Sequence, residues 1–309
     1  MNIEPVDAKM ERSILIKTLS KWKLAFLGLL IFSSVLLIKR SINGKLPESK
    51  SSETIAVIDI EDVITENEYF DQLLSDIEDN NSIKALIVNI NSPGGKSGAS
   101  ENIYLKLKRI SKKKTVVSTM GSVAASGGYM VALASERIYA LNSTITGSIG
   151  VIMQYPELVD LAEKIGVNIK TYKSQKLKAS PSPLEKATDD SSEAIMATIM
   201  DNHDFFVGLV VENRKIPMEV AAKLADGRVY TGRQAKNNKL IDEIGTIDDA
   251  VIWLKENKNI NINASIKHLK PKKPNEFMEL LMQNIDQSVK SILSNIWNKI
   301  SFSGKYEIK

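Results

Sequence analysis

The sequence predicts an α/β protein with a largely parallel sheet and crossover helices, preceded by one N-terminal transmembrane helix. Three observations predict this class. From residue 54 onward, short apolar runs of strand length alternate with segments of helical spacing, as in parallel sheets whose strands are joined by helices. Two of these runs lead into turns built from glycine and other small residues. Residues 24–38 form a separate apolar run between basic clusters.

Composition narrows the chemistry that the chain can perform. Its 309 residues carry a net charge of +4 and include no cysteine and only two histidines. The lack of cysteine excludes thiol catalysis, disulfides and cysteine-based zinc sites. His203 and His268 stand in polar surroundings outside any metal-ligand pattern, so we expect a surface role for both and no histidine base. We predict no metal, no cofactor and no nucleic-acid partner.

The N-terminal part is predicted to anchor the chain in a membrane. A basic segment, residues 1–23, precedes the uncharged run 24–38, whose fifteen residues span roughly 22 Å as a helix, less than the ~30 Å hydrocarbon core. Trp22 and the flanking lysines can extend the span by lying at the interface. A cleaved signal peptide would end in an A-x-A-like site, which is absent here. A buried core helix would be amphipathic and would lack flanking basic clusters, and this run meets neither condition.

We therefore expect an uncleaved, single-pass signal-anchor in a bacterial cytoplasmic (inner) membrane. Five basic residues precede the apolar run and four follow it as far as Lys50. This small bias favours a cytoplasmic N-terminus, which places the folded domain on the extracytoplasmic side. Residues 39–53 are polar and are predicted to form a linker.

The next segment, residues 54–260, is predicted to form one compact domain. Strand-length runs occur at Ile55–Ile60, Ala85–Ile90 and Thr115–Met120, and helical spacing predicts helices at Asn67–Asp79 and Ala99–Ile110. Further helices are predicted at Tyr129–Ala134, Pro156–Ile165, Leu184–Asn213, Met218–Ala225, Gly232–Asn238 and Ile247–Glu256.

Residues 261–309 are predicted to form a C-terminal extension. Apolar residues recur there with helical period, which predicts an amphipathic helix over Asn275–Ile300. Such a helix can dock on the domain, on a neighbouring subunit or on the membrane surface, and the sequence leaves these alternatives open.

Ser126 stands among small residues, between the strand run Thr115–Met120 and the predicted helix. Small neighbours let a substrate backbone come close. A helix that begins just after the serine directs free N–H groups and a partial positive charge toward it. This arrangement suits a nucleophile whose attack builds a negative oxygen. The alternative is an ordinary small-residue turn between a strand and a helix.

Gly94 and Gly95 follow the strand run Ala85–Ile90. They therefore belong at the same edge of the sheet as Ser126, because the carboxyl ends of parallel strands meet there. A Gly-Gly turn can present a backbone N–H group to an oxyanion, and the N–H of Gly127 would be the second donor. Taken alone the turn is an ordinary strand-to-helix connection, but beside Ser126 the oxyanion hole is favoured.

Four motifs occur in order: NSPGG at 91–95, SVAASGGY at 122–129, TGSIGV at 146–151 and ADGRVYTGRQA at 225–235. Together they resemble the signal peptide peptidase A (SppA) family of membrane-anchored serine proteases, in its short, single-unit form, over about residues 55–254. The resemblance implies the crotonase-like fold that is shared with the Clp protease, and a Ser–Lys catalytic dyad.

This resemblance makes Ser126 the nucleophile and places a lysine base in the loop 173–183. Aligning both ends of the loop with the family selects Lys178, which lies 52 residues after the serine. Lys176 is the alternative, since the loop departs from the family pattern and offers two Ser-Pro anchors. Ser148 is implied to orient the lysine, and a turn or capping role is its alternative.

A lysine must be uncharged to act as a base. Its ordinary pKa lies near 10.4, and burial in apolar surroundings lowers that pKa. Lowering it to ~7 costs roughly 4.6 kcal/mol at 1.36 kcal/mol per unit. The resemblance therefore leads us to expect hydrolysis that becomes faster as the pH rises.

The implied function is a membrane-bound serine endopeptidase that degrades signal peptides left in the bilayer after secretion. Short members of the family assemble into rings, so we expect a homo-oligomer in which Lys178 serves the Ser126 of its own chain or of a neighbour. Two other functions compete. One is a catalytically inactive membrane scaffold on the same fold. The other is a crotonase-type acyl-CoA enzyme, which the anchor and the Ser126/Lys178 pair disfavour.

Overall fold

The computed structural model describes residues 53–271. The predicted basic segment, the signal-anchor at 24–38, nearly all of the linker and the amphipathic stretch at 275–300 lie outside the described residues. Their predictions, and the division of the chain into domains, therefore stay predictions.

A sheet of eight strands forms the centre of the described region. Its main path runs in the order β6-β5-β3-β2-β1-β8, and β4 pairs with both β3 and β7. Every pair is parallel except β5 with β6, which confirms the predicted α/β class with a largely parallel sheet. The strands are β1 (Thr54–Ile64), β2 (Ile83–Gly95), β3 (Thr115–Ala125), β4 (Arg137–Ala140), β5 (Ile145–Gly147), β6 (Val229–Thr231), β7 (Glu243–Ile244) and β8 (Ser265–His268).

Eight helices connect and cover these strands in the described region. They are α1 (Glu68–Asp79), α2 (Ser97–Ser111), α3 (Gly127–Ala132), α4 (Val159–Lys164), α5 (Asp189–Arg214), α6 (Met218–Leu224), α7 (Gly232–Asn237) and α8 (Ile247–Asn257). The first helix begins where predicted because the Asn67 side chain accepts the N–H of Phe70 and caps it.

The core lies on both faces of β1, β2 and β3. Because successive strand residues point to opposite faces, Ile58 and Leu86 pack toward α1, α2 and α3, whereas Val57 and Ile87 pack toward α8. All four side chains are fully buried. This two-sided burial explains why the strands are continuous apolar runs in the sequence.

Several predicted boundaries need correction. The helix predicted at Pro156–Ile165 covers only α4, which buries no residue and so has no core face to extend it. The helix predicted from Leu184 begins at α5, because the Thr188 side chain forms a capping box with Ser191. The short strands β4 to β8 were not predicted, and β8 carries the sheet beyond residue 260.

One long part of the chain stands apart from the core. From Val151 to Phe205, only Ser191 is buried, although the segment is rich in apolar residues; we call residues 151–205 the exposed arm. By length and composition α5 could cross a membrane, but its last third, from Phe206 onward, packs into the core.

Candidate active site

Ser126 occupies a sharp turn between β3 and α3. Its backbone adopts φ +52° and ψ −122°, a conformation that costs a non-glycine residue of order 1–3 kcal/mol. Two hydrogen bonds hold it there, because the Ser126 N–H donates to Gly147 O at 2.8 Å and the Met130 N–H donates to Ser126 O at 2.9 Å. The side chain makes no capping hydrogen bond to the helix, so capping is not the role of its hydroxyl.

The glycines predicted to lie beside Ser126 are packed against it. A Cβ atom added to Gly94, whose φ is +104°, would lie 2.7 Å from Gly127 N and 2.9 Å from Ser126 Cβ. A Cβ added to Gly127 would lie 2.2 Å from the hydroxyl oxygen of the buried Ser100. Only glycine fits at either position. These short distances show that the Gly94–Gly95 turn and the Ser126 turn lie side by side, as predicted.

The two glycines of the 94–95 turn differ in what their N–H groups do. The Gly94 N–H donates to Ser92 Oγ at 3.1 Å, so it is already engaged. Gly95 pairs with Ile64, whose carbonyl accepts the Lys96 N–H. In a parallel ladder this pattern directs the N–H of Gly95 itself away from Ile64. Gly95 N lies 3.3 Å from the Cβ position of Gly127, which makes Gly95 the candidate oxyanion donor of this turn.

Ser126 borders two cavities. The smaller, of about 20 Å³, is lined by apolar residues that include Met130, Val151, Phe205 and Phe206 and by polar residues that include Ser97, Glu101 and Asn202. The larger is an open cleft of about 700 Å³ whose lining includes Gly94, Gly95, Ser148, Ile149, Ile152, Ile199, Met200 and His203. The cleft is large enough for several residues of an extended chain.

Ser148 lines the larger cleft with Ser126. It has φ +49°, and its N–H donates to Arg228 O at 2.8 Å. The preceding residue, Gly147, accepts the Ser126 N–H, so the Ser148 turn is coupled to the Ser126 turn. Asp226 accepts hydrogen bonds from the Arg228 guanidinium, which lower the pKa of that carboxyl.

The predicted base is not at this site in the single chain. Lys178 is exposed on a turn of the arm, where its N–H donates to Gln175 O at 3.1 Å. Neither Lys178 nor Lys176 is among the residues that line the two cavities. Lys173 is paired with Glu185 and largely shielded from solvent. The structure thus brings Ser126, Gly94, Gly95, Gly127 and Ser148 together and leaves Lys178 on the arm.

His203, for which a surface role is predicted, is instead largely buried, with 22% of its side chain exposed. It lines the larger cleft instead of the open surface. Its Nε2 lies 2.8 Å from Ala225 O, and since a carbonyl only accepts, that nitrogen carries the proton. Its Nδ1 is buried without a hydrogen-bond partner in the described region. Nε2 is therefore engaged with the backbone, and the unprotonated Nδ1 is buried.

The model of peptidase family S49 matches residues 108–261, a range that includes Ser126, Ser148 and Lys178. The chain contains a peptidase S49 domain. It is 37% identical to the putative protease MJ0651 of Methanocaldococcus jannaschii, over 62% of this chain and 62% of that protein. It is 34% identical to a putative signal peptide peptidase SppA of Enterococcus faecium, over 75% of this chain and 66% of that protein.

The chain thus spans a little under two thirds of the length of these relatives. Among solved structures, a mutant of ClpP1 from Listeria monocytogenes aligns with 65% of this chain and 95% of its own at a TM-score of 0.43 and 20% identity. This similarity is too low to assign a fold family. The α/β class is observed directly, and the Clp-like arrangement stays a prediction.

Proposed function

We propose that this S49 chain is a serine endopeptidase with Ser126 as its nucleophile. One observation carries the proposal: Ser126 sits in a strained turn at the border of an open cleft, with the backbone of Gly95 and Gly127 packed beside it. Such turns hold a nucleophile exposed above a sheet. The peptidase S49 domain supports the same chemistry.

In the proposed mechanism, a neutral Lys178 takes the proton from Ser126 Oγ. The oxygen then forms a bond to a substrate carbonyl carbon, and the N–H groups of Gly127 and Gly95 stabilise the negative oxygen that results. The Lys178 ammonium returns the proton to the leaving amine as the peptide bond breaks. Water then hydrolyses the acyl-enzyme. Ser148 orients the lysine from the same cleft.

We propose further that Lys178 reaches the Ser126 of a neighbouring subunit in a homo-oligomeric ring. The exposed arm supports this, because it presents large apolar side chains to solvent, including Ile152 at 81%, Ile165 at 68% and Tyr172 at 92% exposure. Exposed apolar surface of this extent marks an interaction site. Packing between subunits would also exclude water from the lysine, as a base requires.

The proposed substrates are peptides in extended form, and cleaved signal peptides are the class that we favour. The apolar part of the cleft, formed by residues such as Ile199 and Met200, suits apolar sequences. With the anchor predicted at 24–38, the proposed location is a cytoplasmic membrane, crossed once, with the catalytic domain on the extracytoplasmic side and lipid as a neighbour.

Hydrolysis of an internally quenched, unstructured peptide rich in Ala and Leu tests the proposal. The full-length chain, purified in detergent, would be compared with Ser126→Ala, Lys178→Ala and Lys176→Ala. We expect the first two variants to lose activity and the third to keep it. Loss in Lys176→Ala alone among the lysine variants would move the base to Lys176. A folded, assembled wild type without activity would favour the scaffold, and binding of an acyl-CoA would favour the crotonase-type enzyme.

A further inference from the structure

A buried hydroxyl lies directly beneath the proposed oxyanion turn. Ser92 is fully buried, its Oγ donates to Asp62 O at 2.5 Å, and it accepts the Gly94 N–H at 3.1 Å. One hydroxyl therefore joins the end of β1 to the turn. We propose that Ser92 is a positioning residue that fixes which N–H of the turn faces the oxyanion, an inference that rests on the proposed function.

Irregular strand pairing makes this link possible. The register of β1 against β2 shifts between Glu61 and Val63, which leaves Asp62, at φ +57°, outside the ladder. Such bulges re-aim groups beside active sites. Here the bulge leaves the Asp62 carbonyl 2.5 Å from Ser92 Oγ, much closer than the other possible acceptor, Gly94 O at 3.4 Å. The Ser92 proton is therefore directed at Asp62, and a lone pair faces the Gly94 N–H.

Ser92 also contacts the element that carries the nucleophile. A Cβ added to Gly128 would lie 2.9 Å from Ser92 O, so the backbone of Ser92 packs against the first turn of α3. The residue thus touches β1, the glycine turn and α3. It does not line either cavity next to Ser126, so its effect on catalysis acts through the turn.

As a consequence, the two adjacent N–H groups of the turn have different roles. While Ser92 holds the Gly94 N–H, the N–H of Gly95 is the one left on the side of Gly127. Removing the hydroxyl leaves the N–H of the buried Gly94 without its partner, and the turn can rotate to satisfy it. The Gly95 N–H is then no longer directed at the oxyanion, although the contacts that bind substrate in the cleft remain.

A purely structural hydroxyl would behave differently, and the chain offers a matched control. Ser118 is also fully buried in the sheet, and its Oγ lies 2.6 Å from Ser135 Oγ. It lines neither cavity. Ser118→Ala and Ser92→Ala thus remove equally buried, hydrogen-bonded hydroxyls, one far from the glycine turn and one within it.

The experiment measures kcat, KM and inhibitor binding for the full-length wild type, Ser92→Ala and Ser118→Ala. The inhibitors are a peptide aldehyde, whose adduct with Ser126 carries an oxyanion, and the matching peptide amide, which forms none. We expect Ser92→Ala to lose kcat and aldehyde affinity by about 10- to 100-fold, less than or near the loss of a whole oxyanion donor. Its KM and amide affinity should stay within about twofold, and Ser118→Ala should resemble wild type in all four.

Two results would overturn the proposal: wild-type kcat in Ser92→Ala, or an equal loss in Ser118→Ala. Should Ser92→Ala fail to fold in thermal denaturation, Ser92→Cys takes its place, since the thiol fills the space but is a poor hydrogen-bond partner; the same fall in kcat is expected. An inactive wild type would instead contradict the proposed function itself, so the two failures are distinguishable.

Discussion

The nucleophile and the predicted base lie in parts of the chain that are held together by different forces. The region around Ser126 rests on strands whose side chains are fully buried, such as Ile58 and Leu86. The exposed arm is held by polar contacts on its surface: Leu158 N–H to Pro183 O at 2.7 Å, and Lys186 to Asp160 at 2.9 Å. Surface ion pairs contribute little stability.

Within the described residues, the serine half of the proposed site is therefore assembled, whereas Lys178 lies away from the cavities beside Ser126. The turns of Ser126 and Gly95 are fixed by packing that a single chain supplies. The arm exposes apolar surface that the rest of residues 53–271 leaves uncovered, and it carries Lys178. A second copy that covers the arm would complete the site.

Mixing inactive variants gives the largest expected effect. In a ring with one serine and one lysine contributed by different subunits, an equimolar, randomly assembled mixture of Ser126→Ala and Lys178→Ala should regain about one quarter of wild-type activity, because about one interface in four pairs two intact residues. The measurement is hydrolysis after subunit exchange. Activity no higher than in each variant alone would place the dyad within one chain.

Alanine at two glycines with positive φ compares the two regions directly. Gly94→Ala should reduce kcat by about 100-fold or more, since its Cβ would clash with Ser126 and Gly127 and displace them from the glycine turn. Gly166, at φ +75° in the arm, has no atom within 4 Å of the added Cβ. Gly166→Ala should cost only the backbone strain of about 1–2 kcal/mol and leave kcat unchanged. Similar kcat values in the two variants would contradict the close packing of the nucleophile.

A charge placed on the arm should separate assembly from folding. Ile165, 68% exposed on the arm, and Leu105, 51% exposed on α2, are matched apolar surface residues. We expect Ile165→Asp to lower the oligomer mass in analytical ultracentrifugation and to reduce activity about tenfold, because a charge at a dry interface is costly. Leu105→Asp should keep both. Equal behaviour of the two variants would show that the arm is ordinary surface.

The sequence was informative where packing dictates pattern. The strands β1, β2 and β3 are buried on both faces, so they appear as uninterrupted apolar runs, and the helices α1 and α2 repeat their buried residues with helical period. Ser126 could be placed at the carboxyl edge of the sheet because the strand that precedes it, β3, was itself predictable. The strands β4 to β8 have two to four residues each, too few for a period to show.

Other features depend on contacts between distant residues, which no local pattern records. That Gly95 and not Gly94 offers its N–H follows from a hydrogen bond to Ser92 and from pairing with Ile64. The place of His203 in the cleft follows from its bond to the carbonyl of Ala225. The apolar residues of the arm have the composition of a core, yet they are exposed, so composition alone could not predict whether they are buried.

The smallest expected effect concerns an ion pair that joins two parts of the arm. The Lys173 ammonium donates a hydrogen bond to Glu185 and holds the pKa of that carboxyl below its ordinary value of 4.5. A carboxyl whose pKa is lower in the folded state adds stability above its unfolded pKa, and this stability is lost as the pH falls through the folded value. At pH 6, the amide hydrogens of residues 158–187 should therefore exchange slightly faster in Glu185→Gln than in wild type.

The same exchange measurement in acid shows whether charge is the cause. Below the folded pKa of Glu185 the variant and the wild type should exchange alike, because the carboxyl is then neutral in both states. Taking the ratio of the two proteins at each pH cancels the intrinsic dependence of exchange on pH. A difference that persists in strong acid would mean that Glu185 acts through packing, and the view that polar contacts hold the arm would then need revision.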